Sequence, residues 1–245
     1  MTIHRDLDTL QGEGWLRKVR NGATAQPSTV HHGDVHHRRT AMAAAKAQIA
    51  TVAVQLVRPG NAVMIDDSTT ALALAELLPT RGPLSVITNF LPVINALANE
   101  PGVDLIALGG NYYPAYEAFL GLRTSEAIRS LRANLLFMST TAVTNGQCYH
   151  QSQETVAIKR ALLKSADKSI LLLDHTKFGQ TGLYQMASLA DFDLVIADSD
   201  TPETEIALLH AQGINLLVSA PDFASLINVA DVFGEEPATM AARRT

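Results

Sequence analysis

What this chain of 245 residues has little of already limits what it can be. It holds a single cysteine, Cys148, so it can form no intramolecular disulfide, which argues against a stapled secreted scaffold and for a reducing compartment. No uninterrupted apolar run reaches the roughly 18 residues that a membrane span requires. The N-terminus lacks the basic-then-apolar layout of a signal peptide. We therefore expect a cytoplasmic protein with no membrane partner. Charged residues make up only 18% of the chain against 47% hydrophobic ones, which leaves ample surface for a core and excludes global disorder. The net charge of −5 offers nucleic acid no general attraction, although an average over the chain can hide a local basic patch. At about 100–200 residues per domain, the length fits one large domain or one large and one small.

Composition changes along the chain. Residues 1–24 are polar and dense in charge, and residues 25–40 (AQPSTVHHGDVHHRRT) carry Pro, Ser, Thr and four His with almost nothing to bury. The latter reads as a linker. From 41 to about 219 Ala/Leu-rich amphipathic stretches alternate with short Val/Ile/Leu runs, and 220–245 reads as a C-terminal tail. Propensity predicts a helix over 41–57, stopped by Arg58-Pro59-Gly60. Apolar runs follow at 62–65, 84–87, 103–108, 135–138, 170–173, 194–197 and 214–218, each suited to a strand buried on both faces. Helix-length segments lie between most of them, at 69–78, 90–98, 121–131, 152–164 and 202–212. Strand alternating with helix predicts an α/β domain with a mainly parallel sheet.

Several predicted strands end in polar residues. After Ile65 come Asp66, Asp67, Ser68, Thr69 and Thr70, where the free N–H groups of a helix start, joined by hydroxyls, would cradle a phosphate or carboxylate. The plainer alternative is a helix cap by Ser68 or Thr69. Thr88 and Asn89 end the next run, and Gly109 and Gly110 the one after. Asn89 can donate to a sugar hydroxyl or simply cap a helix. The paired glycines let the backbone approach a ligand, or only turn. Parallel strands would bring all three ends to one edge, where open α/β sheets bind ligands. In the second half, Lys159 on a predicted helix and Lys177 beyond a strand end are cations able to face an anion, with Asp174 placed to orient one of them. Either lysine can equally be an ordinary solvated one.

His31, His32, His36 and His37 form two pairs about a helical turn apart. They have metal-binding side chains, but Gly33 and the surrounding linker argue against a rigid site, and no metal is expected. Cys148 has no recognisable triad partner, so no nucleophile is expected. Near the N-terminus, Ile3, Leu7 and Leu10 share one face of a predicted helix, followed by a short strand (WLRKVR) and the turn signal Asn21-Gly22. Helix then basic hairpin is the order of the recognition helix and wing of a winged helix, with Thr2, His4, Arg5, Arg17, Lys18 and Arg20 as the DNA-facing candidates.

These pieces together resemble one family. TIHRDLDTLQGEGWLRKVRNGA is similar to the recognition helix and wing of DeoR-type bacterial transcriptional repressors. KAQIA (46–50), IDDSTTALALAELL (65–78), VITNF (86–90), LGGNY (108–112), ETVAIKRALLKSA (154–166), LLLDHTKFG (171–179) and LVIADS (194–199) resemble that family's sensor domain, in order over nearly the whole chain. The resemblance implies a sensor with the fold of sugar-phosphate isomerases and CoA transferases, preceded by a partial winged-helix remnant. It also implies a phosphorylated sugar effector, no cofactor, a homo-oligomer, and operator DNA as partner once the winged helix's first helices, which the chain does not include, are supplied. Carried over by position, the effector residues are Asp66, Ser68, Thr69, Thr70, Thr88, Asn89, Gly109, Gly110, Lys159, Asp174 and Lys177. Asp67-Ser68 stands where the family commonly has Ser-Gly, which adds a negative charge beside the supposed phosphate cradle.

The rival reading from the same fold is a sugar-phosphate isomerase or deaminase. Such an enzyme needs a positioned acid or base, and the stretch after the 135–138 run, Ser139 to Gly146, holds no carboxylate. We therefore expect no enzyme and no catalytic residue. A module that hetero-oligomerises with a longer relative is a third possibility.

Overall fold

Seven short runs rich in Val, Ile and Leu become the strands of one sheet in the computed structural model, which describes residues 2–12, 16–19, 22–25 and 35–219. In chain order the elements are α1 (Thr2–Gly12), β1 (Leu16–Val19), β2 (Gly22–Ala25), α2 (Val35–Thr40), α3 (Ala43–Ala53), β3 (Ala62–Ile65), α4 (Thr69–Ala75), β4 (Leu84–Thr88), α5 (Leu91–Leu97), β5 (Val103–Ala107), β6 (Asn111–Tyr113), β7 (Ala118–Leu120), α6 (Leu122–Arg129) and β8 (Ala133–Met138). There follow β9 (Ala142–Thr144), β10 (Gln147–His150), α7 (Gln153–Lys164), β11 (Ala166–Leu173), β12 (Tyr184–Ser188), β13 (Leu194–Ala197), α8 (Glu203–Ala211) and β14 (Leu216–Val218).

The main sheet runs β14-β13-β11-β8-β3-β4-β5, and every pairing in it is parallel. The chain starts in the middle at β3, winds outward through β4 and β5, then returns to β8 and winds the other way. Between β3 and β8 the strand order therefore reverses. At such a switch point the loops leaving neighbouring strands diverge and open a crevice at their carboxyl ends. The inner strands carry the core: Val63, Met64, Ile65, Leu136, Phe137, Met138, Leu171, Leu172 and Leu173 are buried on both faces of the sheet. This is why these strands read as unbroken apolar runs.

All seven expected strands are present in that single sheet, and the expected helices lie between them. The hairpin of β6 and β7, and the antiparallel sheet β12-β10-β9 that packs beside α7, have no counterpart in the sequence reading. These strands are three to five residues long, too short for period-two alternation to stand out.

Composition predicts a linker over 25–40, yet the second half of that stretch is helix α2, and Val35 at the start of the helix is buried. A single apolar residue among histidines and arginines gives no periodicity to detect, so packing rather than propensity accounts for this turn of helix. His36 and His37 lie on α2, while His31 and His32 fall outside the described residues. The helix-then-hairpin reading of the N-terminus corresponds to α1 and the β1–β2 pair, with Val19 opposite Gly22. Trp15, Arg20 and Asn21 are outside the described residues, as is the tail 220–245. Among the described residues no helix is long and apolar enough to cross a membrane.

Candidate functional site

The carboxyl ends of the parallel strands are unusually polar for so buried a place. Asp66 and Asp67 follow β3, Asn89 follows β4, Ser139 and Thr140 follow β8, Asp174 follows β11 and Asp198 follows β13, all of them buried. In-register pairing aligns these ends: Ile65 lies beside Thr88 and Phe137, and Leu173 beside Ala197.

At the switch point Asp66 joins three segments of the chain. One carboxylate oxygen accepts from the Ser68 backbone N–H at 3.1 Å and from the Ser68 hydroxyl. The other accepts from the Ser139 N–H at 3.0 Å and from the Lys159 ammonium. Asp66 thus ties the β3 loop, the β8 loop and α7 together. Ser68 also caps α4, its Oγ accepting from the Ala71 N–H at 3.2 Å. The plain reading of Ser68 as a helix cap is realised, and with one proton given and one accepted its hydroxyl is engaged.

Lys159, 2% exposed, donates to Asp66 and to the Ser139 carbonyl at 3.1 Å, and Asp67 Oδ1 stands 3.1 Å from its ammonium. Burial works against the charged lysine, but the two carboxylates outweigh it and hold the ammonium above its ordinary value. Burial also pushes the Asp66 carboxyl up despite Lys159, and Asp67 beside it adds to the rise. For Asp67 the desolvation is outweighed by Lys159, His150 and Arg38, so its carboxyl lies below the usual range.

A second group lies around Asp174. Its Oδ1 accepts from the Thr176 N–H at 3.1 Å and from the Thr176 hydroxyl, while Lys177 sits 3.2 Å from its Oδ2. Burial raises this carboxyl, but Lys177, Thr176 and Lys46 more than compensate and hold it low. Lys46, on α3, belongs to the KAQIA segment, and nothing in the sequence pattern singles it out as a site residue. It is 5% exposed and donates to the carbonyls of Arg38 and Ala41, the latter at 2.7 Å. Burial, then Lys177, then Arg38 bring its ammonium down to about 8, against the opposing pull of Asp174. The Thr69 hydroxyl donates to the same Arg38 carbonyl at 3.2 Å. The end of α2 is thereby fastened to the start of α4 and to Lys46.

The remaining candidates are held mostly by their own neighbours. Thr70 is buried in the first turn of α4. Thr88 Oγ1 accepts from the Phe90 N–H at 3.1 Å. The Asn89 side-chain amide donates to the Phe119 carbonyl at 2.9 Å. Gly109 accepts from the Thr124 hydroxyl through its carbonyl at 2.8 Å. At Gly110 an added Cβ would collide with the Thr124 side chain and the Leu120 carbonyl oxygen, so this glycine is required by packing.

Buried acceptors without a hydrogen bond mark the same edge. Asp67 Oδ1, Asn89 Oδ1 and Asp174 Oδ2 accept none, the two carboxylate oxygens lying only at ion-pair distance from lysines. Buried polar atoms in native folds almost always find partners, so three such oxygens on one strand edge are acceptors with bonding capacity to spare. Next to it, His175 Nδ1 lies 2.7 Å from Asp198 Oδ2, and with Asp200 these two form a group whose ligand atoms are close enough to hold a metal ion.

In the N-terminal element, Lys18 pairs with Asp8 and donates to the His4 carbonyl at 3.2 Å. His4 and Arg5 are exposed on α1. The side chains of Thr2 and Arg17, and all of Arg20, are outside the described residues.

Comparison with known proteins adds to this geometry. Residues 41–199 match the model of the DeoR C terminal sensor domain. Over 220 residues the chain is 31% identical to the uncharacterized HTH-type transcriptional regulator YgbI of Escherichia coli (strain K12), covering 89% of this chain and 86% of that one. It is 30% identical to the L-fucose operon activator of Haemophilus influenzae, covering 82% and 81%. It is also 28% identical to the HTH-type transcriptional repressor GlcR of Bacillus subtilis (strain 168), covering 90% and 85%. Among solved structures, ribose 5-phosphate isomerase A of Methanocaldococcus jannaschii aligns over 54% of this chain and 53% of its own at 14% identity and a TM-score of 0.40, a likeness too slight to build on.

Proposed function

This chain belongs to the DeoR family of transcriptional regulators, and from that premise we propose that its sensor domain, residues 41 to about 219, binds a phosphorylated sugar whose arrival relieves repression of a carbohydrate-utilisation operon. The observation that carries this reading is the strand edge at the switch point. Three buried oxygens there accept no hydrogen bond, and the lysines Lys46 and Lys177 stand around one of their owners, Asp174. A polyol supplies hydroxyl donors, and a phosphate supplies the anion that crowded ammonium groups favour. Asp66, Ser68 and Thr70 shape the crevice wall, Thr69 and Asn89 face it, and Lys159 holds its loops together. Residues 1–24 act as the reading head, and two heads brought together by a homo-oligomer would span two half-sites on operator DNA.

The same edge offers a route for the signal. Helix α2 joins the head to the sensor in sequence, and its Arg38 carbonyl is held by both Lys46 and Thr69. A phosphate that takes these two donors removes two bonds that hold the Arg38 carbonyl and so loosens α2. Ligand binding then shifts an equilibrium between two placements of α2, which is all that a transmitted signal requires.

The reading as a sensor rather than an enzyme is supported by the regulators among its relatives and by the binding of Asp66 and Lys159 to each other, which leaves neither free as acid or base.

The experiment is thermal unfolding with a panel of phosphorylated sugars, each beside its unphosphorylated parent. A ligand at 100 times its dissociation constant adds about 2.7 kcal/mol of stability, which for a chain of this size raises the midpoint by roughly 5–10 °C. One phosphorylated sugar should raise it with no product formed, and hydrogen exchange of residues 35–40 should quicken with that sugar bound. A flat panel, or turnover of the sugar, rejects the proposal.

A further inference from the structure

The crevice has two poles of opposite charge. Around Lys159 two carboxylates, Asp66 and Asp67, face one ammonium. Lys159 gives one proton to Asp66 and another to the Ser139 carbonyl, with Asp67 at ion-pair distance. An anion arriving here would meet two carboxylates and an ammonium already taken. The oxygens left over at this pole are acceptors: Asp67 Oδ1 and, at the neighbouring strand end, Asn89 Oδ1. Neither can bond the dianion of a phosphate monoester, which has no proton to give, whereas a sugar hydroxyl can donate to both.

At the other pole the balance is reversed. Lys46 bonds only neutral carbonyls, which leave its charge uncancelled, and the one carboxylate in reach, Asp174, is paired with Lys177. Two ammonium groups thus share one carboxylate. The Thr69 hydroxyl meets Lys46 at the Arg38 carbonyl and adds a donor that can turn to an anion instead. Burial and the neighbouring cations weaken the Lys46 ammonium, and an anion beside it would offset that cost.

Resting on the reading that the cleft takes a phosphorylated sugar, we propose that the ligand lies across it in one direction. Its anionic group rests against Lys46, Lys177 and the Thr69 hydroxyl, and its sugar hydroxyls point to the acceptor oxygens of Asp67 and Asn89. Lys159 positions the loops and does not touch the anion. Asp67 is then a specificity-determining residue: it rejects an anion from the Lys159 end and requires a donor there. Lys46 is an anion-binding residue supplied by α3, before the sheet begins.

The test is titration calorimetry of the full chain with inorganic phosphate, comparing the unsubstituted protein with Lys46→Gln, Lys46→Arg, Thr69→Val and Asp67→Asn. Lys46→Gln should weaken phosphate binding at least tenfold, and Lys46→Arg, which keeps the charge, should recover most of the loss. Thr69→Val should weaken it severalfold. Asp67→Asn should tighten it severalfold, because it removes repulsion and no bond to the anion. Melting curves confirm that each variant folds. If Lys46→Gln binds phosphate as the unsubstituted protein does, or Asp67→Asn weakens binding, the orientation is wrong, while the effector reading survives on the sugar panel. If inorganic phosphate does not bind although a sugar phosphate raises the melting point, the anion pole is wrong. If the sugar panel is flat as well, the effector reading itself falls and takes this inference with it.

Discussion

A lysine buried between two aspartates is a costly arrangement, because all three charges have left water and only their mutual attraction repays the loss. The Asp66–Lys159–Asp67 group survives by being satisfied: Asp66 takes four hydrogen bonds from three segments of the chain. Removing the cation that both carboxylates share leaves them facing each other in a buried place. Lys159→Met should therefore destabilise the fold by about 3–5 kcal/mol, the usual loss for a broken buried pair. Asp66→Asn should cost less than Lys159→Met, because Asp67 remains as a counter-ion. Urea denaturation of both variants checks the order, and an equal loss would mean that Asp67 contributes nothing to holding Lys159. Lys46 gives the complementary pH prediction. The charged and titratable groups facing it are Lys177, Asp174 and Arg38, and its ammonium is lowered from 10.5 to about 8. Between those two values the unfolded chain binds the extra proton, so this residue makes stability rise with pH across the window. Phosphate binding needs the protonated form, so affinity should instead fall as pH rises through about 8. Stability and phosphate titrations from roughly pH 7 to 10, with Lys46→Gln as the control lacking both trends, separate the two effects.

At the scale of elements, the fold was legible wherever a segment had one dominant period. The runs at 62–65 and 194–197 match β3 and β13 residue for residue, because a strand buried on both faces must be apolar throughout. The polar strand ends were legible for the same reason, since hydroxyls and carboxylates stand out against such runs. Lys46 was not legible. It sits in an alanine-rich helix where a lysine ordinarily points to water, yet it is buried and bonded to carbonyls at and after the end of α2. The role of Lys159 was half legible: its place as a cation in the site was visible, but its occupation by Asp66 and Asp67 depends on α7 packing over β8 and β11, which joins residues far apart in sequence. The paired glycines show another limit. A glycine pair after a strand suggests room for a ligand, but Gly110 is pressed against Thr124 and Leu120 at the start of α6. Gly110→Ala should accordingly lower stability by about 1–3 kcal/mol, the ordinary cost of overpacking, whereas Gly109→Ala, with nothing within 4 Å of the added carbon, should lower it by less. Chemical denaturation of the two variants decides, and equal losses would show that the crowding at Gly110 does not set the demand.

At the scale of the whole molecule, the fold places the sensing crevice and the segment that leads to the reading head against each other. The sheet begins at an inner strand, β3, and α2, which comes before it in the chain, meets the start of α4 and Lys46 of α3 at the carboxyl edge. Any ligand that prefers one placement of α2 is therefore coupled to whatever the head binds, and the coupling is reciprocal. If the effector weakens operator binding by some factor, operator DNA must weaken effector binding by the same factor. If residues 1–24 read DNA as proposed, Lys18 has less to offer a phosphate than Arg5, because it is already paired with Asp8 while Arg5 is exposed. Arg5→Ala should consequently flatten the salt dependence of DNA binding by about one unit of log–log slope for each phosphate the protein ceases to neutralise, and Lys18→Ala by much less. Measuring effector affinity with and without an operator fragment, and operator affinity with and without effector, closes the cycle. Equal factors that shrink together in Thr69→Val would place the coupling at α2, and equal factors untouched by that substitution would place it elsewhere. Unequal factors would mean that a third equilibrium, a change in the number of chains per complex, carries part of the signal.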